Sequence, residues 1–345
     1  MVSQAHSVAK RYAILGTGAI GGYYGACLQR AGQDVHFLLH RDYDHIQKNG
    51  LRVESVQGDF ILSNVQSYAQ VQEMPTADVV LIALKTTQNA KLLPALLPPL
   101  LKPETIVVTL QNGLDIEAAI SDLAPHVPIL GGLCFICSNK IGPGHIRHLD
   151  YGSITLGCYD VNRYPAGILP ILETVAEDFR TAGIEIDLTN DLYLSRWRKL
   201  VWNIPFNGLS VVLDATTTAM MASPDSRQLA ADLMGEVVEA ANGCIQKLTP
   251  DIDRTLPKSI IEKMLIHTDK MKPYRTSMKI DFDEGRPLEL EAILGNPLAS
   301  ARWAGIETPR IDMLYRQLKT LEQQNISSEP HKEGAHREHP TFAKP

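Results

Sequence analysis

The 345-residue chain contains only five cysteines, an odd number, which argues against a secreted disulfide scaffold. Cys134 and Cys137 form a single C-x-x-C. Cys27, Cys158 and Cys244 supply no second pair at metal spacing, so there is no zinc ribbon and no metal site, and the thiols read as ordinary buried ones. No apolar run reaches membrane-spanning length, and the first ten residues lack the apolar core of a signal peptide, so cytoplasm is the expected compartment. Positive charge is not in excess either. With 33 Lys and Arg against 39 Asp and Glu the net charge is -6, which excludes a broad basic surface for nucleic acid or an anionic membrane. A local basic patch for an anionic small molecule is still compatible with that balance.

What remains is a globular composition, 44% hydrophobic and 21% charged. The length is too great for one ordinary core and favours two domains. Residues 12–15 are a short apolar run ending in glycines, as a buried parallel strand should be. A helix follows from Gly21 to Ala31 and is closed by Gly32, and a second strand runs over 35–39. Strand, glycine turn, helix and strand in this order make a βαβ unit. Further strands are expected over 79–84 and 106–110, with shorter ones at 127–130 and 154–156, and together they predict a doubly wound parallel sheet. From Asp191 to about Gln324 only helical periodicities occur, broken at Pro224, Pro250, Pro273, Pro287 and Pro297. The chain thus divides into an α/β sheet domain over 1–187, an all-helical domain over 188–325, and a polar tail over 326–345 expected to be disordered.

Gly16-Thr17-Gly18-Ala19-Ile20-Gly21 is a G-x-G-x-x-G loop in the context such a loop needs, with a strand before it and a helix after it. Gly16 permits the tight turn, Gly18 lets the backbone approach a pyrophosphate, and Gly21 lets helix and strand pack closely. The competing reading is a tight turn with no ligand. The end of the second strand distinguishes the two dinucleotides. An NAD site places an acid there for the ribose 2′-hydroxyl, whereas here Leu39-His40-Arg41 offers no acid until Asp42. Arg41 and His40, joined by Lys85 beyond the third strand, favour NADP over NAD; a merely solvated Arg41 is the alternative.

In the helical region Lys199, Asn203 and Asn207 are spaced by four, so a helix places them on one face among apolar neighbours. Such a face needs polar partners. Either a small oxygenated ligand supplies them, or the stripe packs on another helix and satisfies itself. A second segment, Arg275 to Asp281, passes through a Gly285-Arg286-Pro287 turn to Glu289, which can bring Ser277 and Glu289 to the same cleft; a surface helix hairpin would read the same way.

Over about residues 12–315 the chain resembles the ketopantoate reductases (2-dehydropantoate 2-reductases). The resemblance rests on ordered motifs. These are the glycine loop, Leu84-Lys85-Thr86-Thr87-Gln88, Gln111-Asn112-Gly113, the 131–147 stretch with Pro143-Gly144, Trp197…Lys199…Asn203…Asn207, and Ser277-Met278…Asp281…Glu289. It implies a Rossmann domain joined to an all-helical domain, and NADPH-dependent reduction of a 2-oxo acid on the pantothenate route towards coenzyme A. It further implies Lys199 as general acid, Asn112 where nicotinamide and substrate meet, Asn203, Asn207 and Ser277 on the substrate, and Glu289 near cofactor and lysine. Two positions depart from the pattern. His40 stands where the family's cofactor arginine stands, with Arg41 one residue later, and a further substrate asparagine falls in the Thr216-Thr217-Thr218 run. Other readings are a related NAD(P)-dependent dehydrogenase for another 2-oxo or 2-hydroxy acid, or a non-catalytic dinucleotide sensor. No motif specifies assembly; a homodimer through the helical domain is compatible.

Overall fold

A computed structural model describes residues 9–327. Ten strands form one sheet: β1 (Arg11–Leu15), β2 (Asp34–Leu38), β3 (Leu51–Ser55), β4 (Phe60–Leu62), β5 (Gln66–Tyr68), β6 (Val79–Ile82), β7 (Ile106–Thr109), β8 (Ile129–Gly142), β9 (His145–Cys158) and β10 (Ile186–Thr189). The order is β4-β3-β9-β8-β7-β6-β1-β2-β5, with β10 pairing β9 off this path. Pairing is parallel from β5 across to β8. Five helices accompany these strands: α1 (Ala19–Arg30), α2 (Tyr43–Asn49), α3 (Asn89–Leu96), α4 (Ile116–Leu123) and α5 (Pro170–Thr181).

Strand β1 shows why these strands read as continuous apolar runs. Tyr12 and Ile14 enter one core with residues of α1 and α5, while Ala13 and Leu15 enter another with Leu93, Leu97, Ile116 and Ile120. Both faces are buried, as a doubly wound sheet requires. Helix α1 ends where the N–H groups of Gly32 and Gln33 turn back to the carbonyls of Gln29 and Leu28.

The sheet departs from expectation on one side. The short strands expected at 127–130 and 154–156 are parts of a long antiparallel hairpin, β8 and β9, with 14 residues in each strand. Three register irregularities interrupt it, between Phe135 and Ile136, Cys137 and Ser138, and Lys140 and Gly142. Each shifts the alternation by one residue, which erases the period-two signature of a half-buried strand.

After β10 the described residues are helical: α6 (Leu192–Val212), α7 (Thr217–Ala222), α8 (Pro224–Leu248), α9 (Ser259–Asp269), α10 (Ser277–Asp283), a π-helical turn at Glu291–Gly295, α11 (Asn296–Ala304) and α12 (Pro309–Ser327). Local chemistry starts them. Asp191, Thr216, Ser223 and Thr276 cap α6, α7, α8 and α10 with side-chain oxygens, and Pro224 and Pro297 sit in first turns where no N–H is needed. Helix α6 runs unbroken through Pro205 and packs Trp197, Leu200, Val201 and Ile204 into one core with Leu233, Met234 and Val237 of α8. The reading of 326–345 as a disordered tail lies outside the described residues, apart from the end of α12. None of the described helices is long and apolar enough to cross a membrane.

Candidate active site

The glycine loop lies between β1 and α1. Gly16 has φ +99°, and a Cβ there would lie 2.5 Å from the Leu84 nitrogen, so no side chain fits where the loop passes the end of β6. A Cβ on Gly21 would lie 2.3 Å from the Gly16 carbonyl oxygen, within helix–strand contact distance. Gly18 differs: a Cβ there would meet nothing within 4 Å, so its backbone faces open space. Helix α1 begins at this point with no side-chain cap and no acid in its first turn, leaving the leading N–H groups of Ala19 and Ile20 for an anion. Thr17 ties the loop to β2, its hydroxyl donating to the Leu38 carbonyl at 3.1 Å.

At the β2 end, His40 and Arg41 are exposed, and neither side chain has a hydrogen-bond or ion-pair partner among the described residues. The nearest acid, Asp42, is buried and occupied. Its carboxylate pairs with Lys140 at 2.6 Å and accepts the Gly144 N–H at 2.9 Å. Asp42 is thereby withdrawn from the role an acid plays in an NAD site. A phosphate between an uncapped helix terminus and a free arginine fits these residues; a competing carboxylate is absent among them.

Lys85 is placed differently from the expectation that it joins Arg41. Strand β1 stands between β6 and β2, so the two strand ends lie two strand spacings apart, roughly 10 Å. The Lys85 ammonium instead crosses to the helical half, 2.7 Å from Asp281 and 3.3 Å from Glu289. Burial opposes its charge, but the Glu289 and Asp281 carboxylates prevail and hold it above the ordinary lysine value. Glu289 also accepts from the Thr86 N–H and hydroxyl, both at 2.9 Å. Asp281 is a junction, pairing with both Lys85 and Arg286, whose part the sequence does not reveal. The signal available was its place four residues after Ser277, on the same face of α10.

Lys199 lies half-buried on α6 and reaches back to the sheet. Its ammonium donates to Asn112 Oδ1 at 2.8 Å and to the Cys134 carbonyl at 2.7 Å, and lies 5.1 Å from the Phe135 ring centre. An ammonium has three N–H groups, and the third has no acceptor among the described residues. Burial lowers its pKa to about 8, and the charge of nearby Arg196 pushes the same way.

Asn112 is held from several sides. Its neighbour Gln111 donates to the Leu84 carbonyl and to Asn89, both at 2.7 Å, and its backbone carbonyl accepts from Arg196 at 2.6 Å. Gly113 has φ +117°, and a Cβ on it would lie 2.5 Å from the Ala292 carbonyl oxygen, so only glycine lets the π-helical turn come this close. Arg196 is itself buried against Glu117 of α4, with Nε 3.0 Å from the carboxylate and Nη2 also donating to it. The sequence reading missed this pair. Its one available sign was a second cation three residues before Lys199, hence on the same helix face.

Asn203 and Asn207 follow Lys199 at one-turn intervals and are buried, yet neither side-chain amide has a hydrogen-bond partner among the described residues. Their polar atoms are not fully enclosed, so they face open space. A self-satisfied stripe between helices would bond them to neighbours; a ligand cleft leaves them unpaired. Ser277 opens α10, whose preceding residue Thr276 bonds Ser210 of α6 at 2.7 Å, and Ser210 donates onward to the Asn207 carbonyl. The Thr216-Thr217-Thr218 run is structural here, with Thr216 capping α7 and Thr217 donating its N–H to the Tyr274 carbonyl.

The chain is similar to known proteins along nearly all of its length. Residues 12–161 match the family model described as ketopantoate reductase PanE/ApbA, and residues 191–322 match that of its C-terminal domain. The 2-dehydropantoate 2-reductase of Nostoc sp. is 55% identical over 316 residues, 92% of this chain and 96% of that protein. The crystal structure of 2-dehydropantoate 2-reductase from Geobacter metallireducens is 43% identical with TM-score 0.83, covering 91% of this chain and 99% of that one. A ketopantoate reductase from Staphylococcus aureus described as dimeric is 20% identical with TM-score 0.73, covering 91% and 99%, and shares the fold.

Proposed function

The chain belongs to the ketopantoate reductase family and is an oxidoreductase; on that premise we propose that it reduces ketopantoate to pantoate, with NADPH as hydride donor and Lys199 as proton donor. The observation that carries the reading is the Lys199 ammonium, oriented by Asn112 and the Cys134 carbonyl and keeping one N–H unspent. Bound NADPH supplies the hydride. As the ketone carbon accepts it, negative charge grows on the oxygen, and the third N–H of Lys199 stabilises that charge and passes over its proton. A pKa of about 8 suits this, because the lysine is mostly protonated at neutral pH yet a better acid than an ordinary one. One hydride and one proton are used per ketone, and water restores the lysine's proton.

The amides of Asn203 and Asn207 and the hydroxyl of Ser277 supply neutral donors and acceptors for the substrate's carboxylate and hydroxyl. The sheet half, which closes with β10 at Thr189, would hold the cofactor, with the Gly16–Gly21 loop on the pyrophosphate, and Arg41 with His40 on a 2′-phosphate. The helical half, which begins with α6 at Leu192 and not at 188 because β10 carries the sheet on to Thr189, supplies the acid. Lys85, paired with Glu289 across the two halves, would meet the cofactor away from its 2′-phosphate. A homodimer, the assembly described for the Staphylococcus aureus protein, and a cytoplasmic location complete the proposal.

The test follows NADPH absorbance with ketopantoate, then with NADH, then with a panel of 2-oxo acids. Rapid oxidation with ketopantoate and a preference for NADPH is expected. Oxidation with a different acid alone would assign the chain to a related dehydrogenase, and tight NADPH binding with no oxidation would make it a sensor.

A further inference from the structure

Strand β8 is buried from Ile129 to Cys134, and then Phe135 is 42% exposed, the one phenylalanine among the exposed large apolar side chains of the described residues. Two features place its ring. The carbonyl of its neighbour Cys134 accepts an N–H from the Lys199 ammonium, so Phe135 stands one residue from the atom that holds the acid, with its ring centre 5.1 Å from Nζ. The hairpin is also irregular here. Phe135 pairs with Ser153 and Ile136 with Tyr151, leaving Gly152 (φ +129°) as an extra residue beside Tyr151 (φ +59°). Bulges of this kind bend and twist a strand and re-aim side chains beside sites.

The geometry points to Phe135 as the residue that selects a branched alkyl group on the reacting carbon, by presenting an apolar wall beside the acid; this rests on the reading above of the site as a 2-oxo acid reductase. The candidate substrate-binding groups Asn112, Asn203, Asn207 and Ser277 are all polar and can hold a carboxylate, a ketone and a hydroxyl. None of them can desolvate hydrocarbon. The quaternary carbon of ketopantoate, attached directly to the ketone carbon, requires an apolar surface within a few ångströms of the proton donor.

The experiment compares Phe135→Ala and Phe135→Leu with the unchanged enzyme. It uses ketopantoate as substrate, pyruvate as a competing ligand with only a methyl on the same carbon, and fluorescence titration of NADPH. Phe135→Ala should lower kcat/KM for ketopantoate about tenfold or more, with pyruvate inhibition and NADPH affinity moving less than about twofold, and Phe135→Leu should restore most of the loss. Thermal unfolding checks that both variants fold. An equal loss of affinity for both acids would mean the ring acts through Lys199, and weakened NADPH binding with unchanged acid preference would put it on the cofactor; either overturns the assignment, as does no change at all. An unchanged enzyme inactive with every 2-oxo acid would instead overturn the underlying functional reading.

Discussion

The ammonium of Lys199, on helix α6, donates to Oδ1 of Asn112 beyond strand β7 across 2.8 Å, joining the helical half of the protein to the sheet. The bond orients the proton donor rather than neutralising it, since Asn112 carries no charge. Asn112→Ala should therefore leave the fold intact and lower kcat/KM roughly 10- to 100-fold, the range expected when a reacting group loses its alignment. Steady-state kinetics checks this, with NADPH titration to show whether binding has changed as well.

The pH profile follows from the burial of Lys199. The acid must carry its proton, and its pKa is lowered from 10.5 to about 8, so kcat/KM should be flat below that value and fall about tenfold per pH unit above it. A lysine at its ordinary value would sustain the rate to beyond pH 10. Asn112→Asp sets a negative charge beside the ammonium, favours the protonated form and should move the alkaline limb upward.

The glycine loop separates folding from binding. Gly16→Ala places a side chain at positive φ against the Leu84 backbone and should destabilise the protein by about 1–3 kcal/mol. Gly18→Ala meets nothing in the protein, so its Tm should shift by less than about 2 °C. NADPH affinity should nevertheless fall roughly tenfold or more, because the added methyl occupies the approach to the pyrophosphate. Calorimetry and fluorescence titration read the two effects separately.

The buried pair of Arg196 and Glu117 makes a similar distinction. Arg196→Met strands a carboxylate that is 3% exposed and should cost about 3–5 kcal/mol of stability. Replacing Glu117 by Met as well removes the stranded charge and should recover most of that stability in chemical denaturation. The double variant should still be slow, because nothing then holds the Gln111 carbonyl next to Asn112. Recovery of full activity along with stability would reduce the pair to a purely structural role.

Much of this was legible in the sequence for local reasons. The glycine loop, the apolar runs of β1, β2, β6 and β7, and the one-turn spacing of Lys199, Asn203 and Asn207 depend on residues near one another in the chain. The long β8–β9 hairpin was hidden by its bulges, which break the alternation that reveals a strand. The position of Lys85 depends on strand order, with β1 between β6 and β2, which no local pattern specifies. The contacts of Asp281 and of Arg196 join residues 196 and 79 positions apart. Asp42 read correctly as the first acid after β2, but only the fold reveals that Lys140 and Gly144 occupy it.

The most direct measurement is a single-turnover rate of NADPH oxidation by ketopantoate in the unchanged enzyme and in Lys199→Ala, both saturated with cofactor. The account predicts a rate at least about 100-fold slower in the variant, with NADPH affinity preserved. A variant that reduces ketopantoate at nearly the original rate would contradict it.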